Sequence, residues 1–143
     1  MNMLISSLMF IALFAIAIAH FLWAFGRTWP IRDEKLLAQT VVGFKDIQSM
    51  PPKLASFGVA IATFAAGIFS LALADHDSGG LWLNLTGLAL AAIFLARGIV
   101  GYTPWWAGLT PEPNFRLNDR RVYSPLCLFL GLGFLALLYL RLA

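Results

Sequence analysis

The chain has 143 residues, of which 60% are hydrophobic and 12% charged, about half the charge of an ordinary soluble domain. With a mean hydropathy of +0.81 it cannot cover a globule with polar groups, which excludes a water-soluble domain and leaves lipid as the medium for much of its surface. The net charge of +3 does not point to nucleic acid, because the basic residues sit in connections between apolar runs, where Lys and Arg ordinarily set membrane topology.

Crossing the hydrocarbon core takes about 20 apolar residues in a helix. Four stretches, 1–26, 54–74, 78–96 and 122–140, contain no Asp, Glu, Lys or Arg. They predict spans at about 3–25, 54–74, 80–102 and 122–141. Open strands would leave backbone groups unpaired in lipid, and the runs lack the polar–apolar alternation of barrel strands. The expected fold class is all-α, a four-transmembrane-helix bundle forming one domain over 1–143.

The first run carries an Ala-x-Ala pattern at Ala15, Ala17 and Ala19, but no Lys or Arg precedes it. A signal peptide starts with positive charge, so the run reads as a retained first span. The connection that follows, about 26–53, holds Arg27, Arg32, Lys35, Lys45 and Lys53. Within it, 33–47 predicts a short interfacial helix, with Leu37, Val41 and Phe44 on one face. Met50, Pro51 and Pro52 end it and lead into the second span. The turn at 75–80 has no Lys or Arg. The third connection, 103–121, carries Pro104, Pro111 and Pro113 and reads as an irregular loop, with Arg116, Arg120 and Arg121 near its end. Excess Lys and Arg mark the cytoplasmic side. Both long connections are therefore expected inside, and both termini and the 75–80 turn outside. The small-residue pairs Ala62/Ala66, Gly87/Ala91 and Gly131/Gly133 are expected to pack the bundle internally.

On that topology the unusual polar residues share one level. His20 and Trp23 close the first span, Arg97 and Tyr102 the third, and Asp119, Arg121, Tyr123 and Ser124 open the fourth. They predict a polar cluster at the cytoplasmic mouth, with Arg97 paired to Asp119 or to a lipid phosphate. Simpler roles exist for each: Trp23, Trp29, Trp105 and Trp106 as an interfacial aromatic belt, Asp119 as a first-turn acid favoured by the helix dipole, Pro125 as a first-turn proline, and His20 as a hydrogen-bonded packing residue.

Several chemistries fail on placement. Bis-histidine haem ligation needs two histidines at one depth, whereas His20 and His76 are expected at opposite faces, about 30 Å apart. Ion-coupled export usually relies on a carboxylate inside a span, and none occurs in these runs. Two histidines and the lone Cys127 form no metal-ligand spacing and no thiol-exchange pair. Ser124 follows no nucleophile-elbow pattern. No cofactor and no metal is expected.

Three stretches carry a resemblance: His20-Phe21-Leu22-Trp23-Ala24-Phe25-Gly26 with Trp29-Pro30; Phe94-Leu95-Ala96-Arg97-Gly98-Ile99-Val100-Gly101-Tyr102; and Asn118-Asp119-Arg120-Arg121-Val122-Tyr123-Ser124-Pro125-Leu126-Cys127. In this order and spacing they resemble a bacterial family of small four-helix integral membrane proteins of unknown function. The resemblance implies a bacterial cytoplasmic membrane and carries no assigned activity or catalytic residues. The leading functional expectation is a binder of lipid or of a small apolar ligand, or an accessory membrane protein. In it Arg97, Arg120 and Arg121 would hold an anionic head group. Its expected partners are membrane lipid and a second copy or another membrane protein. The alternative is a membrane-embedded enzyme acting on an apolar substrate, with His20, Asp119 and Tyr123 transferring protons around one reacting atom.

Overall fold

The computed structural model describes residues 1–77 and 79–143; Ser78, part of the turn expected at 75–80, lies outside them. The described residues are helical and contain no strand. Four helices are long and apolar enough to cross a membrane: α1 (Asn2–Ala24), α3 (Lys53–Ala74), α4 (Gly80–Val100) and a last helix, Pro113–Leu142. Leu4, Ile11, Ile61, Ile68, Leu88, Ile93 and Leu132 point outward from them. Helices apolar on their outer faces as well as their inner ones are stable in lipid and not in water. The chain is thus built as a multi-pass membrane protein.

The spans pair as two hairpins, α1 along α3 and α4 along the last helix, with less contact between the pairs. Met9, Leu13, Leu73, Leu130, Phe134 and Leu137 are buried where the hairpins meet, and Phe94 stacks on Phe134 with centroids 6.0 Å apart. Gly87, Ala91, Gly131 and Gly133 are buried in this packing, as is Ala66, whereas Ala62 faces outward.

Two connections differ from their expected form. The helix predicted over 33–47 is α2 (Glu34–Val41), started by the Asp33 carboxylate, which accepts the Leu36 N–H at 2.7 Å. The chain leaves it at Gly43 (φ +76°), so Phe44 lies beyond the helix and is exposed. Leu37 and Ala38 are buried, because α2 docks on protein rather than lying free on lipid. The Glu112 N–H reaches Gly43 O at 3.4 Å, and the Tyr123 hydroxyl donates to Thr40 O at 3.3 Å.

The expected irregular loop at 103–121 is largely helical instead, and the helix that carries the fourth apolar run starts before 122. The connection contains α5 (Pro104–Leu109), α6 (Pro113–Asn118) and a π-helical turn (Asp119–Tyr123), which runs without a break into α7 (Ser124–Leu142). The prolines start these helices rather than prevent them. Pro104 and Pro113 stand in the first turn, where a missing N–H costs nothing and the fixed φ is already helical. The Thr103 hydroxyl caps α5 by accepting the Trp106 N–H.

Candidate functional site

The π turn decides where the polar groups go. Pro125 has no N–H to offer the preceding turn. Ahead of it the Ser124 N–H bonds to Asp119 O, five residues back. On a regular α-helix residues five apart point about 140° away from each other; a turn closed by an i→i+5 bond brings them onto one face. The Ser124 hydroxyl accordingly donates to Asp119 Oδ1 at 3.1 Å.

Asp119 is fully buried and is the hub of a cluster. Arg97 Nη2 donates to Oδ1 at 2.7 Å, and Arg97 Nη1 reaches Ser124 Oγ at 3.4 Å. Trp106 Nε1 donates to Oδ2 at 3.1 Å. The Arg97 guanidinium also stands 4.9 Å from the Trp106 ring centroid, a cation–π contact. Arg116 Nη1 lies 3.9 Å from Oδ2, and both its terminal nitrogens are buried without a hydrogen-bond partner among the described residues. One carboxylate is therefore shared by two arginines, and the cluster keeps a net positive charge. Gly101 lets α4 approach this hub: a Cβ there would overlap Ser124 Oγ.

His20 and Trp23 lie elsewhere. Their rings meet edge to face with centroids 4.7 Å apart. His20 Nδ1 donates to Ile16 O at 2.8 Å, since a carbonyl can only accept, leaving Nε2 as the ring's remaining polar atom. Trp23 Nε1 donates to Trp29 O at 2.7 Å. Together the two rings line a cleft of about 130 Å³ between α1, the end of α2 and the start of α3. Its other walls are Val41, Val42, Met50, Pro51, Ala55, Ser56 and Val59, so it is mainly apolar.

The single cluster expected from the sequence is thus divided. Arg97, Asp119 and Ser124 come together. Tyr123 stands at their edge, its hydroxyl on Thr40 O and its ring 5.8 Å from Phe115. Tyr102 is half exposed and donates to Arg120 O at 3.3 Å. Arg121 is exposed, while His20 and Trp23 belong to the cleft. His20 makes no hydrogen bond or ring contact with Asp119 or Tyr123 among the described residues. Asp119 is not a first-turn acid but lies inside a continuous helix. Trp106 and Arg116 were missing from the expected cluster. Arg116 stands three residues before Asp119, a helical spacing that signals contact only if 113–121 is read as helix. Trp106 carries no such signal, since an indole near a span end fits an interfacial belt equally well. Nothing in the sequence marks Val41, Met50 or Pro51 as cleft walls.

No described group of three or more His, Cys, Asp or Glu side chains is placed to hold a metal ion. Neither the curated proteins nor the solved structures contain a match to this chain. A family model does match it over residues 13–134, nearly the whole helical domain with both the cleft and the Asp119 hub. The chain therefore belongs to the family described as Protein of unknown function (DUF3995).

Proposed function

We propose that this protein is a non-enzymatic binder of a lipidic or small apolar ligand in a bacterial cytoplasmic membrane. Both termini lie outside the cytoplasm, and both long connections inside. The observation that carries the reading is the His20 cleft, an apolar recess at the end of two adjoining spans with only a few polar atoms in its wall. Ligand sites generally have this character, mostly apolar with a few placed polar groups. The Asp119 hub is a structural lock in this reading, since its acceptors are already occupied by Arg97, Ser124 and Trp106. It holds the last helix in place, and the Tyr123–Thr40 bond carries that order to α2, which walls the cleft. Arg97 is thus already engaged by Asp119 and the Trp106 ring, which makes it a poorer holder of a head group than an unpaired arginine. The enzymatic alternative is less well supported, because Asp119 and Tyr123 are absent from the cleft wall while His20 is in it.

The test is to fill the cleft. Ala55 lines it and is otherwise exposed, so Ala55→Phe occupies its space without burying a new side chain in the core. Native mass spectrometry of detergent-purified protein should show co-purifying lipid or apolar ligand on the wild type and at least a fivefold smaller bound fraction on Ala55→Phe, on the order of 1 kcal/mol of lost binding. Ala92→Phe, on the outward face of α4, should leave it unchanged. Equal loss in both variants, or in neither, would sink the cleft as a site. The orientation has its own check: a reporter that matures only outside the cytoplasm should be active when fused after Ala143 and inactive when inserted beside Lys45.

A further inference from the structure

We infer that the ligand of this cleft is an anionic amphiphile, its apolar chain beside His20 and its charged head between Arg27 and Lys53. The inference rests on the proposed reading of the cleft as a ligand site and adds the charge of the ligand. A second groove, of about 210 Å³, is lined by Trp23, Gly26, Arg27, Thr28, Glu34, Met50, Pro51 and Lys53. It shares Trp23, Met50 and Pro51 with the apolar cleft, so the two adjoin along one wall. An apolar recess passing into a polar groove matches a molecule with a tail and a head.

The charge of the groove sets the sign of the head. Arg27 and Lys53 face one carboxylate, Glu34. Glu34 Oε1 is already engaged by the Met50 N–H at 3.2 Å, and neither Arg27 nor Lys53 makes an ion pair among the described residues. Two exposed cations lining one groove with a single carboxylate leave a net positive potential there, which favours an anion between them. The backbone makes room for them. Gly26 adopts φ +79° and closes α1, with the Arg27 N–H on Leu22 O at 2.8 Å and the Gly26 N–H on Trp23 O at 3.0 Å. Lys53 folds over it: a Cβ at Gly26 would stand 3.2 Å from Lys53 Nζ. Lys53 also opens α3, whose first turn no side chain caps, so the positive end of that helix adds to the field.

Depth selects the source of the head group. Arg27 follows the end of one span and Lys53 begins the next, which places both at the boundary of the hydrocarbon core, where phospholipid heads lie. A membrane phospholipid with a net negative head is therefore the occupant, and free phosphate, which lacks a tail, is the competing source of the same chemistry.

The experiment titrates the full chain in neutral detergent with dioleoyl-phosphatidylglycerol, with dioleoyl-phosphatidylcholine and with inorganic phosphate, reading bound species by native mass spectrometry. Phosphatidylglycerol should bind more tightly than phosphatidylcholine. Arg27→Gln and Lys53→Gln should each weaken phosphatidylglycerol binding about fivefold while barely changing phosphatidylcholine. Glu34→Gln should strengthen phosphatidylglycerol binding. Inorganic phosphate at millimolar concentration should not displace the lipid; displacement would make this a free-anion site and overturn the inference. If Ala55→Phe removes both lipids equally while the Arg27 and Lys53 variants change nothing, the cleft stands and the anionic head falls. If Ala55→Phe affects neither lipid, both fall. All the charge variants lie on exposed connection residues or a helix start, and retained melting temperature separates loss of binding from loss of fold.

Discussion

Asp119→Leu is expected to destabilise the folded bundle by about 3–5 kcal/mol, the usual cost of removing one partner from a buried ion pair. The carboxylate is fully buried and accepts from Arg97, Ser124 and Trp106, with Arg116 close by. Deleting it leaves two guanidiniums facing each other with no counter-charge. Arg97, whose side chain is 30% exposed, can swing toward the membrane boundary and recover part of its hydration. Arg116 has less freedom, since its terminal nitrogens are buried and have no hydrogen-bond partner among the described residues. Leucine shares the branched shape of aspartate but is bulkier and accepts no hydrogen bond, so the loss combines charge, overpacking and the donors left unpaired on Ser124 and Trp106. Replacing the whole set, Arg97→Met with Arg116→Met and Asp119→Leu, should recover much of the stability, because paired buried charges cost desolvation that apolar neighbours do not. Unfolding in mixed detergent–SDS micelles, followed by circular dichroism, measures both. A loss under about 1 kcal/mol for Asp119→Leu, or no recovery in the triple variant, would show that the hub does not hold the last helix.

Gly131→Val should cost about 1–3 kcal/mol by overpacking, and it acts where α4 and α7 cross. A Cβ at Gly131 would lie 2.9 Å from the Leu95 backbone nitrogen and 2.6 Å from Leu95 Cγ. Reciprocally, a Cβ at Gly98 would lie 3.0 Å from the Leu128 backbone nitrogen. Each helix thus offers a glycine to the other's backbone. In lipid no hydrophobic drive draws helices together, so close approach of this kind supplies much of the association. A contact with backbone cannot be relieved by a rotamer change, which is why valine should push the helices apart. Gly58 is the contrast. Beyond its own helical turn, no described atom lies within 4 Å of a Cβ built there, so Gly58→Ala should stabilise α3 by up to about 1 kcal/mol through helix propensity alone. The same unfolding assay reads both variants. Equal effects of the two substitutions would mean that the α4–α7 crossing is looser than this geometry.

The lock and the cleft stand in different relations to the sequence. For Arg97 the sequence offers two partners, Asp119 or a lipid phosphate, because an arginine near the end of a span has few other outlets in lipid; the structure shows the first. Trp106 and Arg116 were not recognisable as partners, because they lie in a segment whose three prolines resemble loop punctuation. Proline both ends and begins helices, and which it does depends on whether the following residues find a surface to pack on. Here Phe115 is buried, against Trp106 and Tyr123, and that burial turns the expected loop into helix. His20 lies in the last turns of α1, but depth along a span carries no information about which neighbour the side chain faces.

The sequence by itself determined four apolar helices in a membrane, because the length of an uncharged run and the absence of water for the backbone leave no other form. It also determined that the charged groups gather in the long connections, since placing them elsewhere would strand them in hydrocarbon. Only the tertiary structure decided which polar residues meet. The π turn at Asp119–Tyr123 brings Asp119 and Ser124 onto one face, but that face meets Arg97 and Trp106 only through the packing of segments apart in the chain. The cleft beside His20 arises in the same way, from the meeting of α1, α2 and α3, as space that no single segment encloses.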